Sequence, residues 1–113
     1  SSIKSNHAQV VKYIAAETKK CDAGEDKVMK KEATYHLTCK NRTPDDVIDA
    51  AIKALSDFKN PNDSTAVSVV KQGSYNYGYN NLQASGTDSI TIKTCYEEPC
   101  GVTTQMDNQV DIK

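Results

Sequence analysis

Tryptophan is absent from this sequence and phenylalanine occurs once, at Phe58, while the hydrophobic fraction of 37% includes six tyrosines. So thin a supply of large apolar side chains allows only a lean core in one domain of 113 residues. A domain of this size also buries a smaller share of its surface than a large one, which makes covalent staples useful. No apolar run approaches the roughly 18–20 residues that cross a bilayer, which excludes a spanning helix within this stretch. Neither charge sign dominates: the net charge is −1, which argues against a strongly basic nucleic-acid binder or a supercharged tail, and no specific nucleic-acid partner is evident. There is no internal repeat and no low-complexity segment.

Four cysteines are present, an even number with no histidine-bearing metal spacing around them. That pattern argues for two disulfides and an oxidising compartment. The first twenty residues, SSIKSNHAQVVKYIAAETKK, organise the rest. Ile3, His7, Val10, Val11 and Ile14 fall on one stripe at helical spacing, with lysines, Gln9 and Glu17 around the remaining circumference. Lys19 and Lys20 suit the negative end of the helix dipole. The helix starts abruptly at Ser1, which suggests either a processed or truncated chain whose helix continued upstream, or a mature secreted domain that begins with a helix.

Downstream, DAGEDKVMKKEA reads as a surface loop with room for a short helical turn. Residues 33–39 alternate as a half-buried strand, with Ala33, Tyr35, Leu37 and Cys39 on the core side. Thr43-Pro44-Asp45-Asp46 opens a second helix, predicted over 44–59: Thr43 caps it, Pro44 fits its first position and both aspartates oppose the dipole. Asn60-Pro61-Asn62-Asp63 stops it. The second half is β-rich. Ala66–Val70 is a short strand candidate, Gln72-Gly73-Ser74 a turn, and Tyr75, Tyr77 and Tyr79 alternate. The segments around Leu82 and Ile90 form a hairpin through Ser85-Gly86-Thr87-Asp88. A cysteine-bracketed loop at 95–100 precedes edge strands around Val102, Val110 and Ile112. The expected architecture is α+β: an amphipathic helix at 1–20, a connection over 21–64 that carries the second helix, and an antiparallel sheet of about four strands with a disulfide loop over 65–113.

No constellation for chemistry stands out, so no catalytic, cofactor or metal residue is assigned and a non-enzyme is expected. His7 and His36 are the only histidines, and a His-assisted nucleophile would have to be Ser or Thr, but no G-x-S-x-G elbow occurs. Asp45 and Asp46 are explained by the cap, since adjacent helix residues do not face each other. Glu97 and Glu98 are better read as solvated. Asp22, Glu25 and Asp26 lack the order of a calcium loop. Asn41-Arg42-Thr43 and Asn62-Asp63-Ser64 match the N-glycosylation pattern, which has meaning only in a glycosylating host. Tyr75, Tyr77 and Tyr79 would place three rings on one strand face as a contact platform, against the simpler reading that they cover a lean core.

Three segments, SNHAQVVKYIAAETKKC, TPDDVIDAAIKALSDFKNP and NLQASGTDSITIKTCYEEPC, resemble the globular part of a type IV pilin. The resemblance implies a hairpin-rich sheet packed on the C-terminal half of a long helix, with a disulfide stapling the C-terminal region. The family's prepilin peptidase site and apolar half-helix are not among these residues. By the resemblance they belong upstream, anchoring the subunit in the bacterial inner membrane and then forming the core of an extracellular filament for adhesion, motility or DNA uptake; methylation is among the family's features. Other copies of the chain are the implied partners. A type II secretion pseudopilin is the near alternative, against which Cys95 and Cys100 weigh, because the major pseudopilins often use Ca²⁺ in place of that disulfide. A small secreted binding module is the more distant one.

Of three possible pairings, Cys21–Cys39 and Cys95–Cys100 are expected, linking adjacent elements and closing a short loop. The first turn of the helix is expected to project, leaving Ile3, His7 and Val10 for neighbouring subunits. Tyr75, Tyr77, Tyr79, Glu97 and Glu98 form the expected exposed contact surface.

Overall fold

The computed structural model describes residues 2–32, 34–71 and 76–113. The chain is α+β. Its first element is α1, Ser2–Asp22, which runs two residues past the expected end at Lys20 and carries Cys21 inside its last turn. Next come β1 (Lys27–Lys31) and β2 (Tyr35–Thr38), then α2 (Pro44–Ala54). The remaining strands are β3 (Lys59–Asn60), β4 (Asp63–Val67), β5 (Val69–Lys71), β6 (Asn80–Ser85), β7 (Ser89–Cys95) and β8 (Gln105–Asp111). Instead of one antiparallel sheet of about four strands, the described residues form eight strands in three sheets. The principal sheet runs β5-β6-β7-β8 and is mixed, because β5 pairs with β6 in parallel. β1–β2 and β3–β4 are separate antiparallel ribbons.

The hairpin between β6 and β7 sets the frame. Leu82 opposes Ile92 and Ala84 opposes Ile90, and across the next ladder Ile90 opposes Val110. Strand parity therefore sends Leu82, Ile90, Ile92 and Val110 to one face, where they join Val10 and Ile14 of α1 and Val47, Ile48 and Ala51 of α2 in a single core. Both helices cover that face. The opposite face carries Gln83, Thr91, Lys93, Asp107 and Gln109 and stays largely open to solvent.

Five local expectations are corrected. The polar stretch after α1 is a strand rather than a loop: Val28 and Met29 are both buried although adjacent, because Met29 takes φ 52° and shifts the register against β2. A bulge of this kind erases the alternation that marks a strand. In β2 only Leu37 is buried; Tyr35 lies 44% exposed, and Cys39 belongs to a short 3₁₀ turn, Cys39–Asn41. Helix α2 stops at Ala54, not near residue 59, because the chain turns through 55–57 and Phe58 carbonyl accepts from Ser68 N–H, drawing Lys59 and Asn60 into a ribbon. The strand expected at 66–70 is broken at the bend Ser68 into β4 and β5. Val102 lies in a turn and is 84% exposed, so the last strand starts at Gln105. Ala33 and the turn expected at 72–74 lie outside the described residues.

The start of α2 is as the sequence dictates. Thr43 holds extended backbone angles, its Oγ1 accepts from Asp46 N–H at 3.2 Å, and Pro44 follows at the first helical position. Thr43→Ala is expected to cost about 1 kcal/mol in urea denaturation, with Thr43→Ser recovering most of it.

Candidate functional site

The inward row of α1 reads Ile3, His7, Val10, Ile14 and Thr18. His7 is the one ionisable member, and it is only 1% exposed. Helical spacing places it over β7 and β8, where parity turns Thr94 and Asn108 toward the helix. His7 Nδ1 lies 2.7 Å from Thr94 Oγ1, and Nε2 lies 2.7 Å from Asn108 Oδ1. Thr94 donates its hydroxyl proton to Asn80 Oδ1 at 2.7 Å, and Asn80 Nδ2–H donates to Ser68 Oγ at 3.3 Å. The cluster thus ties α1 to β6, β7 and β8 and to the bend ahead of β5.

Proton counting defines the state of the ring. Thr94 has committed its only proton to Asn80, so it accepts from His7, and Nδ1 is the protonated nitrogen. A neutral ring then offers a lone pair at Nε2, which is met when Asn108 presents its amide N–H₂. A charged ring offers N–H at Nε2, which meets Asn108 Oδ1 instead. A half-turn of one side-chain amide suits either state. Burial holds the His7 pKa below its ordinary value; the hydrogen bond with Asn108 and the charge of Asp107 oppose that shift. Thr94 is fully buried, so the His7–Thr94 pair is sealed from any substrate and serves to hold the helix.

The projecting first turn expected from the sequence is corrected by this packing. Ile3 is 5% exposed, His7 1% and Val10 0%, so within the isolated chain all three face the sheet and none is available to a neighbour. Around them, Lys4 Nζ stands 4.2 Å from the Tyr96 ring centroid, and Asn6 Nδ2–H donates to Lys59 carbonyl at 3.5 Å.

Both disulfides join the expected partners, Cys21–Cys39 and Cys95–Cys100. The first fixes the end of α1 to the turn after β2. The second closes a loop at the end of β7 that Thr104 braces, its Oγ1 accepting from Gly101 N–H and donating to Pro99 carbonyl, both at 2.9 Å. Glu97 and Glu98 are exposed on that loop. Tyr75 lies outside the described residues, and Tyr77 and Tyr79 are half-buried. They do not share a strand: Gly78 between them takes φ 87° and its N–H donates to Cys95 carbonyl, so the segment is a turn whose Tyr77 makes a single bridge to Cys95.

The remaining candidates are dispersed. His36 shares an open cleft of about 410 Å³ with Tyr35, Asp46, Asp49 and Lys53, where Lys53 Nζ sits 4.6 Å from the Tyr35 ring centroid. Asp22 accepts from Arg42 Nη1 at 3.0 Å, and among the described residues no three His, Cys, Asp or Glu side chains gather as metal ligands. Asn41 and Asn62 are both exposed, but Thr43 is occupied as the cap of α2.

Sequence reasoning missed Thr94, Asn80, Asn108 and Ser68. A signal existed for three of them. Thr94 continues the inward parity of Ile90 and Ile92, Asn80 that of Leu82, and Asn108 that of Val110 and Ile112. Polar residues at apolar parity, opposite a histidine on an apolar stripe, mark a buried polar cluster. Comparisons with protein-family models, curated proteins and solved structures give no match.

Proposed function

We propose that this chain is the globular part of a structural subunit of an extracellular filament of the type IV pilin kind. The observation that carries the reading is α1 itself: 21 residues laid with one face on β7 and β8, its end fixed by Cys21–Cys39, with a second disulfide closing a C-terminal loop. That arrangement offers a rigid head on a helix whose axis runs on toward the amino terminus. The two disulfides are compatible with an oxidising, extracellular compartment. In this reading an apolar half-helix upstream supplies most of the association energy, at about 1.5–3 kcal/mol per large buried side chain. The partners are further copies in a head-to-tail contact that does not close. The exposed loops, including Asp22–Lys27 and Glu97–Glu98, tune packing and face outward.

Two measurements test it. The codons immediately upstream should encode a basic leader ending in glycine, followed by about twenty apolar residues; a cleavable signal peptide instead makes the chain a secreted binding module. Among the described residues Tyr35 and Val102 are the exposed large hydrophobic side chains, so these 113 residues alone are expected to sediment as a monomer at micromolar concentration. A discrete closed dimer would favour the binding module.

A further inference from the structure

The first two turns of α1 are held to the sheet by very little apolar surface. Between Ile3 and Val10 the one inward side chain is His7, so the packing of this segment rests on one isoleucine and one imidazole. From Val10 onward the helix is anchored in the main core together with Ile14. The His7 ring is buried at its Thr94 side but reaches Asn108 on the edge strand β8, and Asn108 is solvent-exposed, which gives protons a route to Nε2. We propose that the His7–Thr94–Asn108 cluster is a proton-operated latch, clasping the first two turns of α1 to the sheet while the ring is neutral and letting them lift when it is charged.

Lifting restores water to the imidazolium at the cost of re-exposing Ile3 and of giving up the surface contacts of Lys4 with Tyr96 and of Asn6 with Lys59 carbonyl. The charged groups around the ring set the balance. Asp107 on β8 favours the cation, but its carboxylate lies 3.9 Å from Lys93 on β7, which offsets it. Lys4 on α1 is one turn back, drawn to Tyr96, and β6 brings only neutral groups, Asn80 nearest. Burial is the largest influence and favours the neutral ring. Docking is therefore complete above the ordinary histidine pKa near 6.5 and weakens as pH falls below it, until the docked ring itself is protonated. The effect is local, because Val10 and Ile14 keep the remainder of α1 in place.

The test is amide hydrogen exchange on the full 113-residue chain, corrected for intrinsic rates, with the His7 ring titrated by NMR. Protection of the His7–Val11 amides relative to the Ile14–Thr18 amides is expected to fall by about tenfold per pH unit by which the docked ring titrates below 6.5. His7→Gln, which can bond but not titrate, should remove the pH dependence. Asn108→Asp, which sets a carboxylate beside Nε2, should keep the first turns docked at pH 5. A protection ratio unchanged between pH 7.5 and 5, a ring that titrates at or above 6.5, or the same pH dependence in His7→Gln each overturns the latch. The wild-type measurement decides alone if either variant fails to fold.

Discussion

Gly78→Ala is expected to destabilise the fold by about 4 kcal/mol, the largest effect of a methyl added at any of the described glycines. Two costs add. At φ 87° an L side chain pushes against its own backbone, worth about 1–2 kcal/mol. The new methyl would also stand 2.1 Å from Asn60 Oδ1 and 2.8 Å from Asn60 Nδ2. Asn60 is not the free end of a flexible chain. It is 2% exposed, its Nδ2–H donates to Tyr77 carbonyl at 3.1 Å, and its Oδ1 accepts from Asn62 N–H at 2.8 Å. Moving it aside leaves buried polar groups without partners, about 1–3 kcal/mol each. Gly86→Ala isolates the first cost, because Gly86 has φ 68° but nothing within 4 Å of an added methyl. Urea denaturation should show Gly86→Ala losing about 1 kcal/mol and Gly78→Ala several times that. Equal losses would remove the steric part of the account. Combining Gly78→Ala with Asn60→Ala should cost less than the sum of the two, since the clash then has no partner.

That small contact explains why the tyrosine run misled a reading by alternation. Tyr-Asn-Tyr-Gly-Tyr repeats at the period of a strand, but only the tertiary neighbour Asn60, seventeen residues upstream of Tyr77, shows that the backbone must turn at Gly78. Where an element's reasons are local, the sequence is enough. The cap at Thr43, the hairpin between β6 and β7, and the apolar stripe of α1 each depend on neighbours within a few residues or on a strict period, and each is where the pattern puts it. The failures share a different cause. Val28 and Met29 point inward together because of a bulge, and α2 ends early because Phe58 accepts a hydrogen bond from Ser68 across the chain. Ile3 and His7 show the limit in another form: the stripe was legible, but the length of sheet beneath it was not. β8 begins at Gln105, paired with Cys95 at the end of β7, and its Asn108 sits under the first turns, so a helix expected to overhang is covered.

Removing Cys21–Cys39 is expected to cost about 3 kcal/mol, and removing Cys95–Cys100 about 2 kcal/mol, when each pair is replaced by alanine. The difference follows from loop length, since the sequence separations are 18 and 5 and the cross-link acts chiefly by limiting the unfolded chain. The longer loop also encloses β1 and β2, a two-stranded ribbon that is marginal without support from elsewhere. Cys21 and Cys39 pack against the main core beside it, so their loss frees the end of α1 and the ribbon together. The C-terminal loop keeps its Thr104 bonds after reduction, which limits its loss. For a domain with one Phe and no Trp these are large terms, because native stability is about 5–15 kcal/mol in total. Urea melts of the two double variants, and of the wild type with and without dithiothreitol, measure them directly. The expected order is wild type, then the variant lacking Cys95–Cys100, then the variant lacking Cys21–Cys39, with the fully reduced chain least stable. A larger loss on removing Cys95–Cys100 than on removing Cys21–Cys39 would show that native packing at the loop, not the length of chain enclosed, decides what these cross-links contribute.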